Sequence, residues 1–237
     1  MAKIENGRCG LHAWRPRVDV SETIVLVVAL SLLPFVLMVS TSFAKLAIVF
    51  AMLRNALGIG GAPEGAVIGV LAALLSVYVM LPVGRDMLRD AAPVVAKLDL
   101  AAPLSGQGVK SLRDIAVSAA EPLRQFLERN SSASERGLFL GIARRGLPQN
   151  ERETVQERDL LVVLPAFFVT ELAEAFQIGF LLLLPFIVLD LVIATILASL
   201  GMQALTPSTV ALPFKLLLFL SVDGFRTLIE ALVAGYA

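Results

Sequence analysis

The chain has 237 residues, of which 57% are apolar and 17% charged, and its mean hydropathy is +0.81. A water-soluble domain of this length carries nearer a quarter charged residues, so a soluble globule is excluded. Lys plus Arg and Asp plus Glu are 20 each, and this zero net charge argues against a nucleic-acid partner. One Cys (Cys9) and one His (His12) rule out an intrachain disulfide, a Cys- or His-cluster metal site and most His-dependent triads. Neither residue is assigned a role, and no cofactor or metal is expected.

The neutral sum hides a segregation. Residues 1–22 form a tail with Lys3, Arg8, Arg15 and Arg17. Asp19, Glu22 and the long apolar run that follows make it a poor cleavable signal, so an uncleaved anchor is expected. Residues 24–53 hold a single charge, Lys45. At about 1.5 Å per residue they would reach roughly 45 Å, against a hydrocarbon core of about 30 Å. Pro34 lies inside this run, where a proline removes a backbone hydrogen bond and bends or breaks a helix. Leu57-Gly58 and Pro63 supply a helix stop, and the uncharged residues 65–84 have the length of a second span. Residues 23–84 are therefore read as an apolar helical hairpin. The positive-inside rule gives a divided orientation: the basic tail favours a cytoplasmic N-terminus, and Arg54 in the turn favours the opposite.

Residues 85–159 hold 23 of the 40 charged residues and read as a small polar helical insert. Ser118 to Pro122 looks like a helix start, with Leu123, Phe126 and Leu127 on one face. Ser134 is the expected cap of a second short helix with Leu138, Phe139 and Ile142. Residues 99–110 and 146–150 read as loops.

Residues 160–237 form a second apolar hairpin, with Pro165 and Pro185 inside a run that again exceeds one span and a turn at Leu200-Gly201 before Pro207. The reading is all-α: about four long, Pro-kinked apolar helices of membrane type. Breaks of this kind in lipid need neighbouring protein to satisfy the freed carbonyls, which points to a packed assembly. Charges are rare here. Glu171 and Glu174 share one helix face, Asp190 and Asp223 are isolated, and Lys215 is the only cation between 160 and 225. Carboxylates in an apolar run are costly unless paired or near water. Lys45 is expected to pair with a carboxylate or to snorkel, without a named partner. Asp190 and Asp223 lack the Gly-x-Gly-Asp setting of an intramembrane protease. A proton path is one role for them; capping or bridging helices is favoured.

Several strings here resemble one family. Leu164-Pro165-Ala166-Phe167, Glu171-Leu172, Ala175-Phe176-Gln177-Ile178-Gly179-Phe180, Pro185-Phe186 and Asp190-Leu191-Val192 are similar to the FliP/SctR family of type III secretion export components. So are Leu200-Gly201-Met202, Ala211-Leu212-Pro213-Phe214-Lys215-Leu216 and Val222-Asp223-Gly224. In the first hairpin Ser31-Leu32-Leu33-Pro34-Phe35, Leu53-Arg54-Asn55-Ala56-Leu57-Gly58 and Met80-Leu81-Pro82-Val83-Gly84 agree, as does Pro122-Leu123-Arg124-Gln125-Phe126-Leu127 in the insert. Short loops and the absence of a signal peptide look more like the virulence or symbiosis branch than the flagellar one.

The resemblance implies a non-enzymatic inner-membrane subunit. Several copies would assemble with SctS/FliQ-like and SctT/FliR-like partners into a helical ring, largely periplasmic, beside SctU/FlhB-like and SctV/FlhA-like components, and pass unfolded secreted proteins. It implies an ion pair of Glu171 with Lys215 between subunits. It also implies a Met202 constriction, although Gln203 and Ala204 stand where fuller family patterns have further methionines. A small-solute transporter is the alternative from another class, resting on two hairpins with intramembrane charges near broken helices.

Overall fold

The computed structural model describes residues 20–59, 62–95, 106–149, 151–202 and 204–236. The tail with Cys9 and His12, part of the 99–110 segment and Gln203 lie outside them. The described residues are helical throughout their regular structure: α1 (Val20–Ser40), α2 (Phe43–Leu57), α3 (Ala62–Val95), α4 (Gly106–Arg129), α5 (Ala133–Gly146), α6 (Leu160–Ser199), α7 (Pro207–Ser221) and α8 (Gly224–Ala234). The chain divides at Val36 into two compact units, the second running from Leu37 to Ala237. In the first unit α1 presents Val27, Val28, Leu32 and Phe35 outward.

The second unit is built around α2. Leu46, Val49, Phe50, Leu53, Ala56 and Leu57 recur at three- and four-residue spacing and are buried. They pack against Ala72 and Leu75 of α3, Ala175 and Phe186 of α6, Phe219 of α7, and Leu228 and Leu232 of α8. Gly179 lets α6 approach α2 closely: a methyl group there would overlap the Met52 side chain. A second cluster joins Val79, Phe126, Leu127, Val163 and Phe167, with Tyr236 packed against it. A third, of Ile193, Leu197 and Ala211, closes the α6–α7 hairpin.

Both hairpin turns form where a glycine can take a left-handed backbone. Gly58 ends α2 at φ +76°, and Gly201 follows α6 at φ +71°. The prolines do not split the helices. Pro34, Pro82, Pro165 and Pro185 lie within helices that continue through them. The first long run instead breaks at Thr41-Ser42, where Pro34–Ser40 and Phe43–Leu57 meet at a 78° bend. Hydroxyls gather there. The Thr41 Oγ1 accepts from the Phe43 N–H at 3.4 Å, and Ser42 and Ser76 hydroxyls lie 3.3 Å apart. A break costs least where side-chain oxygens meet the freed backbone groups.

In the insert, Ser118–Pro122 is not a helix start. α4 begins at Gly106 and carries Pro122 inside it. Residues 106–110 are helical, not loop. The α5 cap is Ser132, two residues earlier than expected, whose hydroxyl accepts from the Ser134 N–H at 3.2 Å. α3 likewise continues past the uncharged stretch to Val95.

Among the described residues two helices, Gly65–Pro93 and Leu160–Ser199, are long and apolar enough to cross a membrane, or up to three if the bent pair is counted as one span. Among the described residues their apolar faces stay uncovered: Val67, Val70, Leu74 and Val77 of α3, and Leu181, Val188 and Leu191 of α6, are all exposed.

Candidate functional site

The buried charges of the described apolar helices fall in two separate clusters, each centred on a lysine. Lys45, in the first turn of α2, is 4% exposed. Its ammonium lies 2.5 Å from Glu174 Oε2 and 3.5 Å from Glu171 Oε1. The two carboxylates, one helical turn apart, reach it from the same face of α6. Glu171 is 1% exposed; Glu174 keeps about half of its side chain open. Tyr236, just beyond α8, completes the cluster. Its hydroxyl donates to Glu171 Oε2, and its ring centroid lies 4.6 Å from the Lys45 ammonium. The ring also stacks on Phe126 at 6.0 Å and 20°. A phenol keeps its proton at neutral pH and so serves here as the donor.

Lys215 of α7 is equally buried, at 4% exposure. Its ammonium donates to Asp190 Oδ2 at 2.7 Å and to the Ala56 carbonyl at 3.0 Å. Ala56 is in the last turn of α2, where carbonyls lack intrahelical partners and a cation is favoured. Asp190 is about one-third exposed, yet its second oxygen is buried without a hydrogen-bond partner among the described residues.

Within one chain, then, Glu171 and Lys215 have different partners. The structure supplies Lys45 with the partner its sequence did not name. Asp190 bridges α6 to α7. Asp223 sits at the N-cap of α8 at φ +51°, with no side-chain cap bond; its carbonyl accepts from the Thr227 N–H at 3.1 Å. Met202 is at the exposed α6–α7 tip, its N–H donating to the Leu197 carbonyl at 3.0 Å. Sequence reasoning missed Tyr236 and the Ala56 carbonyl. One of only two tyrosines, placed next to the end of an apolar helix, was the available signal for the first; a backbone oxygen leaves none.

No group of three or more His, Cys, Asp or Glu side chains suited to a metal occurs among the described residues. The arrangement neutralises charge inside apolar packing and leaves broad apolar faces for contact with lipid or protein.

The FliP family matches residues 26–232. The chain belongs to the FliP family. It is 41% identical over 219 residues to the hypersensitivity response secretion protein HrcR of Ralstonia nicotianae, covering 92% of this chain and 98% of that protein. It is 39% identical over 221 residues to Yop proteins translocation protein R of Yersinia pestis, covering 92% and 97%. To the flagellar biosynthetic protein FliP of Rhizobium meliloti it is 35% identical over 215 residues, covering 90% and 82%. FliP-family membership makes the chain a membrane component of a protein-export apparatus and not an enzyme.

Proposed function

We propose that the chain is a core subunit of a type III secretion export gate in the bacterial inner membrane. Several copies join SctS/FliQ-like and SctT/FliR-like subunits in a helical ring that sits largely on the periplasmic side. SctU/FlhB-like and SctV/FlhA-like components adjoin it, and unfolded proteins pass through its channel. Residues 1–22 act as a tail, 23–84 and 160–237 as the two apolar hairpins, and 85–159 as a periplasmic insert. Met202 stands at the constriction, where an unbranched, polarizable side chain re-packs around varied substrates. Glu171 of one copy meets Lys215 of the next. Asp190 and Asp223 serve as helix bridge and corner.

The observation that carries this reading is the contrast within the apolar helices. Lys45, Glu171 and Lys215 are buried with partners of opposite charge, while the outward apolar faces of α3 and α6 are left exposed by the described residues. Exposed apolar surface on this scale marks contact with lipid or other subunits.

Co-expression with the two small membrane partners tests it. One large, stable complex with a central channel is expected. A lone monomer that moves a small solute across vesicles would instead establish the transporter. In a Cys9→Ser background, Glu171→Cys and Lys215→Cys should together give a ladder of cross-linked copies on oxidation of the complex. A chain that assembles without any such ladder has no contact between these positions.

A further inference from the structure

Glu171 is enclosed so completely that a cation on another copy cannot reach it while its present cover stays in place. Three side chains lie beside its carboxylate. Lys45 belongs to α2, the centre of the core, and Glu174 is fixed one turn along the same helix. Tyr236 is different. It lies beyond the last residue of the short helix α8. It is held by its N–H donated to the Val233 carbonyl, by packing against the cluster of Val79, Phe126 and Phe167, by the hydroxyl donated to Glu171 and by the Lys45 ammonium against its ring. Open space flanks the ring on two sides. One cavity of about 370 Å³ lies toward Tyr78, Pro82 and Arg85, and another of about 380 Å³ lies toward Asp86, Gln125 and Arg129.

We propose that Tyr236 is a positioning residue for Glu171: it holds the carboxylate beside Lys45 in the free subunit and releases it when a second copy docks. The inference rests on the proposed contact of Glu171 with Lys215 between copies. It assigns the C-terminal turn a role in the order of events. The phenol supplies one hydrogen bond to a carboxylate that would otherwise have Lys45 as its only donor among the described residues, and a side chain at the edge of the core is the cheapest of the three to move. No proton changes hands: the phenol keeps its proton in both states, and Glu171 exchanges it for the Lys215 ammonium of the second copy, which in turn leaves Asp190 and the Ala56 carbonyl.

The test uses the full chain in detergent, alone and co-assembled with its two small partners. Trp14 is the only tryptophan, so Tyr236→Trp in a Trp14→Phe background reports on this position alone. Its emission should move to longer wavelength on assembly, as the indole leaves Phe126 for water. Emission unchanged between free and assembled chains overturns the proposal. Tyr236→Phe keeps the ring, its stack and its contact with Lys45 but deletes the hydroxyl. Assembly should then proceed about tenfold faster, the factor that loss of one hydrogen bond to a charged group supplies. A purely structural tyrosine predicts the reverse, with slower assembly and lower stability together, and that result also overturns it. The cysteine cross-link separates the two levels. No ladder between positions 171 and 215 removes the contact on which the inference rests, whereas a ladder with unchanged indole emission removes the role of Tyr236 alone.

Discussion

The two buried lysines stand at opposite ends of the same helix, and this decides how much each needs. Lys45 lies in the first turn of α2, where the helix dipole is positive and repels a cation. It is surrounded by two carboxylates and an aromatic face. Lys215 touches the last turn of α2, where the dipole is negative and free carbonyls accept hydrogen bonds. One partly exposed carboxylate and the Ala56 carbonyl suffice for it. Equal burial therefore calls for unequal neutralisation.

Substitutions at the two clusters should separate them. Lys45→Met is expected to have the largest effect, because it leaves Glu171 buried with Tyr236 as its only donor. The loss should be about 3–5 kcal/mol, the scale of an uncompensated buried charge, read as a lowered unfolding midpoint in detergent. Lys215→Met strands an aspartate that water still reaches and one carbonyl, for a loss of about 1–3 kcal/mol. Equal losses at the two lysines would mean that the helix ends do not govern the difference. Glu174→Gln is the mildest. Its carboxylate is half exposed, so the change should stay within about 1 kcal/mol; a larger loss would make Glu174, not Glu171, the principal counterion of Lys45.

Much of the fold is legible in the sequence because it follows from local chemistry. The turns at Gly58 and Gly201 need a left-handed residue, and glycine with a nearby proline announces each. Prolines were poorer guides. Pro34 and Pro122 each cost a helix one hydrogen bond, and α4 runs through Pro122 into the buried pair Phe126 and Leu127. The actual break in the first run falls at Thr41-Ser42, where the hydroxyl of Ser76, 34 residues from Ser42, completes the cluster. Packing across the chain decides such a point. The same holds for the charges. Glu171 and Glu174 announce a shared face through their spacing, whereas Lys45 finds them across 126 residues. Tyr236 enters only because α8 returns the chain end to α4 and α6.

The position of α2 ties the two clusters mechanically. Lys45 and Ala56 are eleven residues apart on one straight element, so about 16 Å of rigid rod separates the two charge sites. Neither end can shift along the rod's axis without dragging the other, since a helix stretches far less readily than it slides. A displacement at the Glu171 end thus reaches the Lys215 end as a change in register between an ammonium and a carbonyl. Two sites with no shared side chain in this way become the ends of a single lever.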